Sequence, residues 1–453
     1  MNRICKISVF FLFLLTAGTY GTVVAAGEFT DVIDAFDKDN GDPFDLNIRI
    51  GYERFQESGN LTRESSNAAR LKSGEYYPSY RFGTYEHAQN ILNLGIDIGL
   101  FHDISFRFDV PVILSDDRSV KTAGDWGETT ALFSDRVKSP QRSGVDYLAA
   151  GLWWNILDQS RIKEYPTLTA FIEGRFAVGK PLKAACVGTG QALNNCNGET
   201  YLDPTTNEDI GFNEDGGISN NLNQVRLGLH FSRRYGFVEP YMGIDGMFGF
   251  YKGTDLTMGT GALNTMPPLV GTFDFGVELV PWEVPDDERK FLVIIGGGAT
   301  YHSEGRTYTP LFDALGTSSY FNDVDYPPGA DPNNPADINN DGVTDTTPGS
   351  AEQEALQAWN GMTDIENFAE LYGRLDFVIQ PAKYVKFNLG FKAGHKSEHF
   401  ITKTDQCPLG SVVDGICQDY NPGHRPILDD PGFRFRSERT FVWSLFLDAT
   451  AQF

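Results

Sequence analysis

Four oxygen-bearing side chains stand at the spacing of a calcium loop. In Asp337-Ile-Asn-Asn-Asp-Gly-Val-Thr-Asp345, residues Asp337, Asn339, Asp341 and Asp345 take positions 1, 3, 5 and 9. Gly342 is at position six, where the chain must turn sharply, and Val343 offers its carbonyl at position seven. Hard cations take such oxygen sets, and position twelve would supply a bidentate Glu. Pro348 stands there instead, so a further ligand would come from Asp331, Glu352, Glu354 or water. The expectation is a structural Ca2+ that orders a surface loop; the other reading is an Asn/Asp/Gly-rich turn without metal.

The remaining reactive side chains are few. Of five cysteines, Cys5 lies in an N-terminal leader, which leaves Cys186 with Cys196 and Cys407 with Cys417. Each pair lies within one predicted surface loop, and in an oxidising compartment two local disulfides that close small loops are favoured. A zinc site is the alternative. There is no G-x-S-x-G, H-E-x-x-H or phosphate-binding loop, so no enzyme is expected. Two histidine sets could carry rim chemistry: His302 with Glu304 on one inward face, and His395 with His399 at the top of a strand. Both read as interfacial polar residues. Gly296-Gly-Gly298 inside a strand marks a bend or close packing.

The elements that carry these groups follow from the two ends of the chain. Arg3 and Lys6 precede the apolar run Val9–Leu15, and Val24-Ala-Ala26 supplies small residues at a cleavage position. This reads as a secretory signal peptide over 1–26, cut after Ala26. At the other end, Phe441, Trp443, Leu445, Leu447, Ala449, Ala451 and Phe453 alternate with Ser444, Asp448, Thr450 and Gln452. Only Val442 and Phe446 break the pattern. That is a strand with one apolar face, and aromatics at both ends suit two membrane interfaces.

Similar alternation recurs along the chain. Leu46, Ile48, Ile50 and Tyr52 oppose Asn47, Arg49, Gly51 and Glu53, and comparable runs follow near 92–100, 104–110, 144–156, 167–178, 222–233, 237–251, 270–281, 290–302, 368–380 and 384–396. No stretch after the leader is apolar enough for a spanning helix, so a membrane form must be a closed barrel. The expected fold is all-β: a single antiparallel transmembrane β-barrel of about 12 strands, with 10–14 allowed. Short turns fall near 101–103, 157–165, 234–236, 282–289 and 380–384. Long links occupy 57–87, 116–142, 179–221, 252–269, 303–366 and 397–436. The barrel with its extracellular loops takes 44–453. Residues 27–43 form a periplasmic segment that reads as a plug in the inner mouth, a docking peptide or a solvated leader.

In this register the inward faces carry Arg49, Glu53, Asp97, Arg107, Asp109, Glu173, Arg175, Arg226, His230, Glu239, Asp245, Asp274, Glu278, Arg374, Asp376, Lys386, Lys392 and Asp448. Charges of both signs can pair across a bore and tolerate water. They serve either as interior scaffolding or as a polar conduit.

The closing segment Phe441–Phe453 resembles the last strand of Gram-negative outer-membrane β-barrels, which ends in Phe. The 337–345 loop is similar to those of EF-hand-like, dockerin-like and thrombospondin-type repeats. A narrower likeness covers roughly 88–182: Asp109-Val-Pro-Val-Ile113, then Gly124-Asp-Trp-Gly127, Gly144-Val-Asp-Tyr-Leu-Ala-Ala-Gly-Leu-Trp-Trp154 and Ala177-Val-Gly-Lys-Pro181. This order resembles the MetA-type transporter barrels of phenol-degradation clusters, distant relatives of the FadL channels. It implies passive uptake of small solutes, apolar ones among them. The net charge of −24 excludes a nucleic-acid footprint. The expected setting is the outer membrane of a Gram-negative bacterium. Partners there are its lipid, the barrel-assembly machinery during biogenesis, small solutes and other envelope proteins. Two functions are expected: a porin-like transporter with a charged lumen gated by long loops, or an interaction barrel whose disulfide- and calcium-ordered loops bind partners.

Overall fold

The computed structural model describes residues 27–33, 35, 45–65, 78–122, 139, 142–182, 216–252, 264–284, 287–316, 361–407, 412–413, 416–417, 421 and 423–453. The calcium motif at 337–345, Cys186, Cys196 and the side chain of Cys417 lie outside the described residues.

Twelve long strands are β1 (Leu46–Glu64), β2 (Ser79–Phe101), β3 (Ile104–Thr122), β4 (Tyr147–Leu157), β5 (Thr167–Ala177) and β6 (Leu222–Ser232), then β7 (Val238–Tyr251), β8 (Val270–Val284), β9 (Arg289–His302), β10 (Phe368–Ala382), β11 (Val385–Lys396) and β12 (Thr440–Gln452). Each pairs antiparallel with the next, and β12 returns to pair with β1 from Asn47↔Gln452 to Ser58↔Phe441. The sheet is closed. Among the described residues no helix is long and apolar enough to cross a membrane.

Alternation explains the wall. Ile48, Ile50, Leu227, Leu229, Leu445 and Leu447 point outward and are exposed, a surface suited only to hydrocarbon. Exposed Phe101, Tyr165, Phe237, Trp282, Tyr384 and Phe453 collect at the short-turn end; Phe176, Phe248, Phe250, Tyr301 and Phe441 collect toward the other. These are the two girdles of a membrane barrel. The tight turns use left-handed backbone where it is tolerated, at Asp103 (φ 61) and Gly236 (φ 62).

Two predicted loops prove shorter than expected. Residues 57–64, 79–87 and 116–122 belong to β1, β2 and β3, whose ladder continues to Glu64↔Ser79. The outward row of these extensions is polar, with Ser58, Asn60, Thr84 and Glu86, so they lack the apolar outer face that marks a lipid-facing strand.

The long-loop end is folded into a cap. Gly305–Thr307 pairs with Thr363–Ile365, Phe435–Ser437 pairs with both β1 and His399–Phe400, and short helices span Phe312–Gly316 and Pro426–Asp429. Leu61, Phe82, Tyr85, Leu311, Leu315, Leu428 and Phe435 form one buried core. Leu61 and Tyr85 belong to the inward rows of β1 and β2, so this core sits in the outer mouth. Buried charges tie it down: Arg142 pairs with Asp313 at 2.5 Å, and Arg434 grips Glu64 through two bonds of 2.9 Å.

Leu311 has no exposed surface and belongs to the cap core. Leu311→Ala should loosen the cap by about 2–5 kcal/mol. Hydrogen exchange should rise in 305–316 and 425–437 while the barrel's heat-modifiable gel migration stays the same. Unchanged exchange would contradict this account of the core.

The cap also predicts a pH dependence. Burial pushes the Asp429 carboxyl up to about 6, against the pull of the Thr404 and Arg425 backbone N–H groups, and burial raises Asp364 as well. Both groups bind protons more tightly folded than unfolded, so cap stability falls as pH rises from about 4 to about 6 and is level above. Exchange in 399–407 and 423–437, corrected for intrinsic rate, should be slower at pH 4.5 than at pH 7.5.

Candidate functional site

A narrow bore cannot hydrate each inward charge separately, so the charges pair. Arg49 donates to Asp97 at 3.0 Å and to Asp109 at 2.8 Å across β1, β2 and β3. Arg226 holds Asp245 through two bonds of 2.9 Å. Pairs two residues apart on one strand add Glu173 with Arg175 at 2.7 Å, and Arg374 with Asp376. Lys392 lies 3.6 Å from Glu370 and 3.7 Å from the centre of the Tyr372 ring, whose hydroxyl donates to Asp274. Glu53 faces Ser444 and Asn93, and Asp448 lies beside Asn388. Between these groups two cavities of about 460 Å³ and 330 Å³ remain, and Arg175 and Arg374 line both.

Aromatic rings stiffen this lining, which the charge pattern alone did not indicate. Arg107 lies over Trp153 at 4.6 Å, Arg226 over Phe171 at 5.1 Å and Arg374 over Phe446 at 5.3 Å. Val442 and Phe446, the exceptions in the last strand, face inward. The glycines of β8 and β9 admit the tyrosines: a Cβ on Gly276 would lie 2.5 Å from Tyr241 Oη, and one on Gly298 at the same distance from Tyr372 Oη.

At the short-turn end, Glu239, Glu278, Lys386 and His230 hold residues 27–31 inside the barrel. Glu278 accepts the N–H groups of Glu28 and Phe29, each at 2.9 Å. Lys290 and Lys386 close on the Glu28 carboxylate at 2.9 and 2.7 Å. Burial alone would raise the pKa of Glu28, but the two ammonium groups hold it well below the carboxylate range. The Phe29 ring stacks on His230 at 4.2 Å and meets Tyr241 at 4.3 Å. It covers an apolar patch of Tyr241, Val280, Leu292, Ile294 and Val378. Thr169 donates to the Thr30 carbonyl at 3.1 Å, and Arg107 to that of Asp31 at 2.6 Å.

Of the three readings of the N-terminal segment, the structure therefore has 27–33 as a plug, while 34 and 36–44 lie outside the described residues. Lys290 was missed as a site residue because its strand carries Leu292 and Ile294 inward and Ile295 outward, so neither face looks polar.

The outer end is also knit by charge. His87, Gln89 and Arg118 converge on Asp116 at 3.3, 2.5 and 2.9 Å, and Lys396 pairs with Glu57 at 2.9 Å. The two histidine sets are not assembled. His302 and His399 stack on opposite sides of Phe368 at 4.3 and 4.1 Å. Glu304 pairs with Lys403 at 3.0 Å in an exposed position, and His395 lies outside against Phe441.

No family model matches the chain, and no curated protein matches it. Similar solved structures include an outer membrane channel from Pseudomonas putida F1, with 11% identity, TM-score 0.40, and 95% of this chain and 100% of that one covered. A Pseudomonas aeruginosa FadL homologue has 9% identity and TM-score 0.31 over 90% of each chain. The outer membrane protease OmpT from Escherichia coli has 8% identity and TM-score 0.25, covering 90% of this chain and 97% of that one. A closed, even-stranded antiparallel barrel with an apolar belt between aromatic girdles is the architecture of the Gram-negative outer membrane, and this chain is such a barrel.

Proposed function

We propose that the protein is a passive channel for small polar or charged solutes, closed at rest by its N-terminal segment within and its loop cap without. The observation that supports it is the pair of adjoining cavities between those closures, lined by arginines and carboxylates rather than filled by side chains. A solute carrying both charge and hydrogen-bonding groups finds partners of either sign along this path. Deleting 27–35 removes only the inner closure. In planar bilayers the full mature chain should show small, infrequent openings, and the deletion variant a conductance several-fold larger. Silence from both would reject the channel and favour the interaction barrel, for which the folded cap would be the binding surface.

The loop staples remain part of this reading: disulfides Cys186–Cys196 and Cys407–Cys417, and Ca2+ on Asp337, Asn339, Asp341, Asp345 and the Val343 carbonyl. Extracellular calcium modules bind at about 10⁻⁴–10⁻³ M. Calorimetric titration of the purified barrel should fall in that range, and Asp341→Asn should abolish the signal. A site weaker than about 10 mM removes calcium from the proposal.

A further inference from the structure

Two carboxylates meet where like charges are costly. Glu239 on β7 and Glu278 on β8 are register partners on the inward face, 1% and 0% exposed. Among the described residues no ion pair joins either to a cation: Lys290 and Lys386 close on Glu28, and Arg234 on Glu283 at 2.5 Å. Glu239 Oε1 accepts the Gly27 N–H at 2.9 Å and the Ser232 hydroxyl at 2.6 Å. Glu239 Oε2 is buried without a hydrogen-bond partner. Both side chains converge on Gly27, where a Cβ would lie 2.6 Å from Glu278 Oε2 and 2.7 Å from Glu239 Oε1. Two buried acids side by side, neither ion-paired to a cation, repel each other whenever both are charged.

The missing charge is one bond away in the sequence. Val24-Ala-Ala26 precedes Gly27, so removal of the leader makes Gly27 the first residue. We propose that Glu239 and Glu278 form a receptor for the α-ammonium group that leader removal creates on Gly27, so that the plug seats fully only in the processed chain. Hydrolysis of the Ala26–Gly27 amide by a signal peptidase consumes one water. Its hydroxyl goes to the Ala26 carbonyl carbon and its hydrogen to the nitrogen. The proton of the new acid completes the ammonium. One neutral N–H donor becomes three charged ones, enough to serve Glu239 Oε2 as well. A chain with its leader still attached lacks this charge, which keeps the inner mouth unlocked until export is finished.

The test uses the protein isolated from outer membranes, with no conductance readout, so a silent bilayer leaves it standing. N-terminal sequencing should begin at Gly27. At pH 7 an amine-acylating reagent should label the Gly27 α-amine about a hundredfold more slowly in the native barrel than in the denatured chain, as expected for a buried paired charge. E239Q/E278Q should restore fast labelling, with heat-modifiable migration confirming that the barrel has formed. Should the double variant fail to insert, E239Q alone and a refolded chain extended by one Met before Gly27 carry the test. E239Q should label quickly, and the extended chain should lose residues 27–31 to protease at least tenfold faster. A different mature terminus, equal labelling of native and denatured protein, or slow labelling in the variants would overturn the proposal.

Discussion

Twelve residues of the first strand, Asn47 to Ser58, are paired with the last strand, and everything else in the molecule depends on that seam. Hydrocarbon offers no partner to a free N–H or C=O, so a sheet left open there would expose a full edge to lipid. The seam is finished at the chain end itself: Leu46 N–H donates to the Phe453 carbonyl at 3.1 Å, and Phe453 N–H to that of Leu46 at 2.9 Å. Closing with an even number of strands brings both ends to the same mouth. Residues before Leu46 therefore emerge beside the inner opening, and a short segment there has only to fold back to fill it.

Closure also sets the interior problem. Each strand that shows apolar side chains to lipid turns its alternate residues toward a shared bore. Ion pairs in partly wet surroundings contribute about 0–1 kcal/mol each, so their number alone would not hold the wall. The rings beneath the guanidinium groups of Arg107, Arg226 and Arg374 add roughly 0.5–2 kcal/mol apiece. Arg107 and Arg374 are among the residues that line the larger cavity, and Arg226 and Arg374 among those that line the smaller.

What could be read from residues alone was the part governed by lipid. The outward rows must be apolar without interruption, so β6 and β12 announce themselves through Leu227, Leu229, Leu445 and Leu447. Where that demand lapses, legibility lapses with it. The upper halves of β1 and β2 lack an apolar outer row and read as loop, while their apolar residues Leu61, Phe82 and Tyr85 serve the cap core. Leu292 and Ile294 point into the barrel because Phe29 covers them, a contact over more than 250 residues that no local pattern encodes. The cap core likewise joins Leu61, Leu311 and the neighbouring Leu428 and Phe435 from three distant segments. Glu239 and Glu278 were legible as inward acids, but their role depends on a glycine far away in sequence.

The cap at one end of the lumen and the N-terminal segment at the other are held by different physics. The cap rests on buried hydrocarbon; swinging it aside would expose Leu61, Leu311, Leu315 and Phe435, at about 1.5–3 kcal/mol for each large side chain. Among the described residues of the plug, 27–33, the one large apolar ring is Phe29. The plug's other ties are charge pairs and hydrogen bonds to Lys290, Lys386, Glu278, Arg107 and Thr169. Hydrocarbon contacts have no substitute in water, whereas polar bonds can be exchanged one at a time for bonds to water. The long loops and the inner segment thus meet the lumen through different kinds of contact, buried hydrocarbon at one end and polar bonds at the other.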